Sequence, residues 1–131
     1  MSPINPGHSL IIARKHIKSI FEVTDTQWVE LKTILNQTKQ TIESIDLQDK
    51  YLSMLKQLEE NISDKFIKAT LNSKFLKSRP DAYNIGINDG KAAGQSINHL
   101  HVHLIPRFTG DVSDPTGGVR NVIPEKGNYR K

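Results

Sequence analysis

Three histidines occupy alternate positions late in the chain: His99, His101 and His103, with Leu100 and Val102 between them. A β-strand directs successive side chains to opposite faces, so this spacing predicts a strand with imidazoles on one face and apolar side chains on the other. Imidazole changes its charge near neutral pH and is well suited to nucleophilic attack and proton transfer. The pattern therefore predicts a row of reactive imidazoles above a buried apolar stripe.

The segment before these histidines is suited to binding an anion. It contains Gly90 and Gly94, and glycine allows backbone N–H groups to approach an anion closely. Gln95 and Ser96 follow and add hydrogen-bond donors. A neutral imidazole at His101 can attack a phosphorus atom, which replaces one difficult displacement by two easier ones. The arrangement therefore predicts phosphoryl chemistry that requires no metal.

The position of His101 between two other histidines strengthens this prediction. One neighbour can fix the tautomer of His101 through a hydrogen bond to the nitrogen that does not attack. The other neighbour, His103, can stabilise phosphoryl oxygens or donate to them. We therefore expect His101 to be the reacting group and the flanking histidines to assist it.

Three other interpretations of the histidines are open. Zinc is one, but three histidines along a straight strand reach too far to converge on one ion, and the chain has no cysteine. The second is an incidental row on a wet sheet face. In the third, the domain binds a nucleotide without cleaving it and acts as a sensor or partner module. We expect no metal site and keep the non-catalytic nucleotide-binding module as the alternative to an enzyme.

The composition limits the function classes. With 131 residues, 36% of them hydrophobic, we expect one domain over 1–131 with a core over 1–109 and an irregular tail over 110–131. The net charge of +4 is dispersed rather than gathered into a basic stripe, so nucleic acid is not an expected partner. No apolar run approaches about 18 residues, so no membrane span is expected. Without cysteine or a signal-peptide pattern, we expect a cytoplasmic location.

The elements that must position the histidines follow from turn and periodicity signals. Residues 5–8, Asn-Pro-Gly-His, predict a turn, and 9–13 predict a buried strand. Residues 24–27 form a capping-box pattern ahead of a helical region over 25–68. Whether this region is one bent helix or two is open, with 44–48 as the place for a break. Its single apolar face predicts helices on a sheet or, alternatively, a dimer-forming helix pair.

Two strands are predicted after the helical region. Residues 82–88 alternate, with Tyr83, Ile85 and Ile87 on one face and Asn84, Gly86 and Asn88 on the other. We expect the histidine strand over 97–105, ended by Pro106, and a glycine-containing loop between the strands favours an antiparallel pair. The predicted fold is therefore α+β, a small antiparallel sheet with one or two helices packed on it.

Together these segments resemble the histidine-triad (HIT) family of nucleotide hydrolases and transferases. The family pattern of histidines alternating with apolar residues is met in full over residues 99–105. Residues 84–96 resemble the strand and loop before that motif, and 6–16 resemble the family's Pro-Gly-His stretch and the strand after it. The remaining helical middle resembles the family only in type.

The resemblance implies catalytic roles for four histidines. His101 would be the nucleophile that takes a nucleoside monophosphate as a covalent adduct. The backbone carbonyl of His99 would orient the far nitrogen of His101. His103 would hold phosphate oxygens and the leaving group, and His8 would support the triad from the neighbouring strand.

The same resemblance implies a substrate-binding segment. Gln95 and the amide of Ser96 would hold phosphate oxygens, Gly94 would lie in the binding loop, and Asn88 would contact the phosphate or the 5′ oxygen. Family members that transfer nucleotides to sugars tend to carry glutamine at the third histidine position, so His103 favours hydrolysis. The implied substrate is a small-molecule nucleotide, a dinucleoside polyphosphate as in the fragile-histidine-triad branch. A homodimer is implied, with no required cofactor, although a divalent cation can accompany the polyphosphate.

One departure from the family concerns the start of the sequence. Family members usually have two further strands before the Pro-Gly-His turn, which supply base contacts and an acidic or amide group near the ribose. That group would precede His8 by about eight residues, just before Met1. The resemblance therefore implies an incomplete nucleoside pocket here and an open strand edge that invites pairing with another chain.

Overall fold

The structure, a computed structural model, describes residues 3–57 and 62–130. Residues 58–61, in the predicted helical region, and 1–2 and 131, at the ends of the predicted domain, lie outside the described residues. Strand β1 is Ser9–Ile12, helix α1 is Asp25–Ser44, α2 is Leu47–Gln57 and α3 is Ile62–Leu71. Strand β2 is Ala82–Ile87, β3 is His101–Arg107, and a short helix, α4, is Pro124–Gly127. Short 3-10 turns lie at Ile20–Glu22, Lys91–Ala93 and Gly118–Val122. The architecture is α+β, as predicted.

The sheet in the described part of the chain is antiparallel, with strand order β1-β3-β2. In the register, Leu10 of β1 and Gly86 of β2 both lie opposite His103 of β3. Directly opposed residues share a face, so Asn84, Gly86 and Asn88, which the sequence placed on one face of β2, lie on the histidine face of the sheet. The other face of β3 is closed to solvent, because Val102 and Leu104 are buried.

The histidine strand differs from its predicted bounds at both ends. It begins at His101 rather than Ile97, because the His99 amide donates to the Ile97 carbonyl in a tight turn and the Leu100 amide donates to Ile17. It also continues through Pro106. Proline has no N–H, so it fits in a strand only where no neighbouring strand needs that donor. The Pro106 carbonyl faces the β1 side, where it accepts from Asn5, and the proline nitrogen faces the same side. At that point β3 already extends beyond its last residue paired with β1.

The first strand is less buried than predicted. It occupies an edge of the sheet and ends at Ile12, whose side chain is 51% exposed, and none of its residues is fully buried. The predicted turn before it is confirmed. The His8 amide donates to the Asn5 carbonyl at 3.1 Å, and Gly7 has a φ of +87°, which favours glycine at the third turn position.

The helical region contains three helices in its described part rather than one or two. The capping box is confirmed by reciprocal hydrogen bonds between Thr24 and Gln27. The break between α1 and α2 falls within the predicted interval 44–48. The α2 and α3 helices and the segment after them share a core cluster whose buried members are Leu47, Tyr51, Ile67 and Leu76.

The C-terminal tail is less irregular than predicted. It contains the 3-10 turn Gly118–Val122 and helix α4. This turn packs near β2, and a Cβ added at Gly118 would lie 3.7 Å from the amide nitrogen of Asn84. No helix within the described ranges is both long enough and apolar enough to cross a bilayer.

Candidate active site

Four histidine rings form a row on one face of the sheet. His101 and His103 lie on the same face of β3, and His99, although it precedes the strand, places its ring centroid 6.1 Å from that of His101. At the other end, the His8 ring lies 5.3 Å from His103. His16, which is exposed, packs edge-on against His99 at 5.4 Å. The fold thus brings together the four histidines that the sequence singled out.

The hydrogen bonds of His8 fix the tautomers of two rings. The Ile4 amide donates to His8 Nδ1 at 3.3 Å, so in the neutral ring the hydrogen is on Nε2. That nitrogen lies 3.0 Å from Nδ1 of His103 and donates to it. Neutral His103 therefore carries its own hydrogen on Nε2, the nitrogen that points away from His8. The site gains an N–H donor of fixed identity next to His101.

The surroundings of this pair favour the neutral rings. His8 is only 6% exposed, and burial, with repulsion from His103 as a smaller cause, lowers the pKa of His8 to about 4. Burial also lowers the pKa of His103, and the neighbouring His101 contributes in the same direction. At neutral pH both rings are therefore uncharged, which preserves the tautomers set by Ile4.

His101 is the free member of the row. Its ring is half-buried and makes no hydrogen bond with any described residue. A neutral imidazole has one nitrogen lone pair, and here that lone pair is not occupied by a protein donor. The arrangement leaves a nucleophilic nitrogen between His99 and the N–H donor of His103.

His99 connects the row to β1. Its Nε2 donates to the carbonyl of Ala13 at 2.9 Å. The backbone carbonyl of His99 accepts from Gln95 Nε2 at 3.3 Å, whereas the resemblance assigned it to His101; within the described chain that expected bond is absent. In this structure His99 joins the end of β1 to the loop before β3.

Gln95 holds the loop rather than presenting its side chain to a ligand. Its Oε1 accepts from the Gly90 amide at 2.8 Å, and its Nε2 donates to the carbonyls of Lys18 and His99 at 3.0 and 3.3 Å. Both amide hydrogens are therefore used inside the protein. The expectation that this side chain donates to phosphate oxygens does not match these contacts, and its visible role is to position the loop.

Three other predicted binding residues are open to solvent or to a ligand. Asn88 is exposed and follows the Ile87–Val102 pair, so the register places it opposite His101. Gly94 is left-handed, with φ +93°, and a Cβ there would lie 3.8 Å from the Asn88 amide nitrogen. Neither the amide nor the hydroxyl of Ser96 has a partner among the described residues. The Asn88 side chain and the Ser96 amide and hydroxyl remain available as donors, whereas the Gly94 amide donates to the Lys91 carbonyl at 3.0 Å.

The sequence reasoning missed Asp89. Its Oδ2 accepts from the Ser19 hydroxyl at 2.8 Å and from the Ile20 amide at 2.9 Å, which ties the loop after β2 to the segment before α1. In the sequence Asp89 reads only as part of an Asp-Gly turn. No local spacing relates it to Ser19, which is 70 positions away.

The candidate site is identified by the chemistry of its histidine side chains and not by a cavity. A cavity of about 490 Å³ lies between the end of α1 and residues 76–80, and another of about 210 Å³ lies between residues 3–6 and α3. Neither cavity is lined by a histidine of the row. Among the described residues, no group of three or more histidine, cysteine or acidic side chains is arranged to hold a metal ion.

The chain is similar in sequence to proteins of a known family. The HIT domain family matches residues 1–110. An uncharacterised HIT-like protein of Methanocaldococcus jannaschii is 32% identical over 111 residues, 85% of this chain and 60% of that protein. An AP-4-A phosphorylase of Mycobacterium tuberculosis is 28% identical over 94% of this chain and 48% of its own length. An asymmetrical bis(5'-nucleosyl)-tetraphosphatase of Schizosaccharomyces pombe is 30% identical over 87% of this chain and 45% of its own.

Solved structures include similar proteins. A HIT family member from Bacillus subtilis has a TM-score of 0.49 at 23% identity, covering 80% of this chain and 52% of that one. The chain spans about half the length of these relatives.

Proposed function

This chain belongs to the HIT domain family, and from its free His101 we propose that it is a nucleotide hydrolase that cleaves a dinucleoside polyphosphate through a nucleotidyl-His101 intermediate. The observation that carries the proposal is the unpaired His101 ring beside His103, whose tautomer is fixed. Relatives named as a phosphorylase of AP-4-A and as a nucleosyl-tetraphosphatase support this substrate class.

In the first step, a ring nitrogen of His101 attacks the phosphorus of a nucleoside phosphoryl group. An N–P bond forms, and the P–O bond to the rest of the polyphosphate breaks, with the electron pair leaving on oxygen. The His103 Nε2–H stabilises that oxygen as a hydrogen-bond donor, and no proton needs to leave the neutral ring. Asn88 and the Ser96 amide are the proposed donors to the phosphoryl oxygens.

In the second step, water attacks the phosphorus of the adduct: an O–P bond forms, the N–P bond breaks with its electron pair returning to His101, and the proton from water is released to solvent. A nucleoside monophosphate leaves, and His101 regains its lone pair. Because His8 and His103 are uncharged near neutral pH, the donor on His103 is in the same state for both steps. Gln95 and His99 act by holding the loop and β1 in place around the reacting groups.

Phosphorolysis is the second candidate, because one relative is named an AP-4-A phosphorylase and aligns with 94% of this chain. The two reactions share the adduct and differ only in the second nucleophile. With diadenosine tetraphosphate, attack by water releases AMP, whereas attack by phosphate releases ADP. Product analysis with and without inorganic phosphate separates them, and AMP as the product in both cases supports the hydrolase.

The central experiment replaces the nucleophile. We expect His101→Asn to lower kcat by about 10⁴-fold or more, because the covalent route is lost, while nucleotide affinity changes little. The matched control is His16→Asn at the exposed end, which has no role in the proposal and retains activity. Radiolabelled substrate quenched in alkali captures an acid-labile adduct in the wild type only. Undiminished turnover in His101→Asn rules out the nucleophile, and nucleotide binding without any turnover in the wild type favours the binding module.

The proposal includes no resident cofactor, and a divalent cation enters only with the polyphosphate. We also propose a homodimer. Strand β2 is an unpaired edge of the sheet within the described residues, and its Ile85 is 50% exposed. Light scattering on the purified chain tests the dimer, and a monomeric mass across the concentrations of the assay would contradict it.

A further inference from the structure

We infer that Tyr51, on helix α2, is a positioning residue for the phosphoryl chemistry, acting through the backbone of Gly7 on the His8–His103 pair. The inference rests on the proposed function for its effect on turnover, but its geometric part stands on contacts alone. Tyr51 lies on the helical layer, away from the histidine face, and nothing in the sequence pattern of the triad points to it.

The first link is a buried hydrogen bond. The Gly7 amide donates to the Tyr51 hydroxyl oxygen at 2.9 Å, between groups that are both buried. Tyr51 is 4% exposed and belongs to the core cluster with Leu47, Ile67 and Leu76. Because its ring is packed among these side chains, its hydroxyl occupies a fixed position.

The second link is the turn. Gly7 is the residue before His8, and its left-handed conformation decides the direction in which the chain enters β1. The Ser9 hydroxyl donates to the Gly7 carbonyl at 2.9 Å, and the His8 amide closes the turn on Asn5. The peptide groups on both sides of Gly7 are therefore held, one of them by the helical core.

The third link reaches the site. The ring of His8 leaves the backbone directly after this turn, and its Nε2 lies 3.0 Å from His103 Nδ1. If the turn relaxes, the His8 ring moves, and His103 loses the bond that fixes its tautomer and ring angle. Small misplacements of such groups reduce rates strongly. Burial raises the pKa of the Tyr51 hydroxyl, so it remains a neutral partner of Gly7 through the working pH range.

The test is Tyr51→Phe, which keeps the ring in the core and removes only the acceptor for the Gly7 amide. Tyr83→Phe is the matched control, because it also removes one hydroxyl hydrogen bond, to Glu43 at 2.8 Å, on the face of the sheet opposite the histidines. The first readout is the ¹⁵N shifts of the His8 and His103 rings, which report tautomer and pKa and do not depend on activity. The second is kcat and KM with diadenosine tetraphosphate as a function of pH.

We expect Tyr51→Phe to remove the single-tautomer signature of His103 and to raise the pKa values of His8 and His103 towards the ordinary range as water enters. We expect kcat to fall about ten-fold with KM nearly unchanged, and the acid limb of the kcat profile to move to higher pH. Tyr83→Phe should change none of these. Wild-type ring shifts in Tyr51→Phe, or the same changes in Tyr83→Phe, overturn the inference.

The test remains decisive if Tyr51→Phe does not fold or if the wild type does not hydrolyse the substrate. If Tyr51→Phe does not fold, Ser9→Ala loosens the same turn from its carbonyl side and should shift the rings in the same direction by a smaller amount; unchanged shifts then overturn the inference. If the wild type does not hydrolyse the substrate, the ring shifts still decide the role of Tyr51, and only the proposed function fails.

Discussion

His8 couples the protonation of the candidate site to the stability of the fold. Its pKa is lowered to about 4, mainly by burial, whereas an unfolded histidine titrates near its ordinary value of 6.5. Between these values the unfolded chain binds more protons than the folded one, so stability falls as pH falls through this window. We expect the free energy of unfolding in urea to decrease from pH 6.5 to pH 4.5, by at most about 1.4 kcal/mol per pH unit for one group.

The pH dependence of the free energy of unfolding in this interval should arise from the His8–His103 pair. His103 has a lowered pKa for the same main reason and adds to the slope in the same direction. His8→Gln removes the largest contributor, so its stability should depend less on pH over this interval, whatever its stability at neutral pH. Equal slopes for wild type and His8→Gln would show that other groups carry the dependence.

At the scale of elements, a substitution can distinguish two roles for Gln95 in the loop between β2 and β3: holding the loop in place or binding phosphate. Gln95→Glu keeps an oxygen for the Gly90 amide but removes both donors, to Lys18 and to His99. If Gln95 holds the loop, the free energy of unfolding should fall by about 1–3 kcal/mol, because two carbonyls then face a carboxylate. Denaturant unfolding at neutral pH measures this. Unchanged stability with impaired kinetics would instead favour direct contact of Gln95 with phosphate.

The turn before β1 makes a second prediction at this scale. A Cβ at Gly7 would lie 2.8 Å from Cγ2 of Ile42 and 3.0 Å from Cγ of Pro106, at a φ of +87°. Gly7→Ala should cost about 2–4 kcal/mol, from the left-handed conformation and from overpacking. Gly110→Ala has the same strain at φ +89° but open space around it, so it should cost only about 1 kcal/mol. Equal costs in thermal or urea unfolding would contradict the packing argument.

These elements also mark what the sequence could predict. The alternation of His101 and His103 with apolar residues is local, and it predicted correctly which face of β3 is buried. The start of β3 at His101 depends on the hydrogen bond from the Leu100 amide to the Ile17 carbonyl. The Gln95 side chain donates to the Lys18 carbonyl. Neither contact has a signal in the local sequence. Patterns within a few residues were therefore reliable, whereas roles set by distant backbone carbonyls required the fold.

At the scale of the whole molecule, one polar cluster joins parts that are far apart in the chain. Arg107 at the end of β3 makes two hydrogen bonds to Asp111, at 2.7 and 2.8 Å, and a third to Asn84 of β2. Asp111 also accepts from Asn5 ahead of β1 and from the Phe108 amide. The cluster therefore fixes the N-terminal segment, β2 and the start of the tail to the end of the histidine strand.

This cluster predicts a second acid transition, separate from that of His8. The Arg107 guanidinium, with smaller help from the Phe108 amide and Asn5, holds the pKa of Asp111 well below its usual range. A depressed carboxyl pKa stabilises the fold above the unfolded value of about 3.9, and this stability is lost as pH falls below it. Asp111→Asn should therefore destabilise the protein by about 2–3 kcal/mol at neutral pH, because it leaves the Arg107 charge without its carboxylate. Its stability should also fall less steeply than that of the wild type below pH ~4.

Glu30→Gln, on the exposed surface of α1, is the control and should cost less than about 0.5 kcal/mol. Urea unfolding from pH 7 to pH 3 measures both effects, and a loss for Asp111→Asn no larger than that for Glu30→Gln would show that the cluster does not hold these segments together.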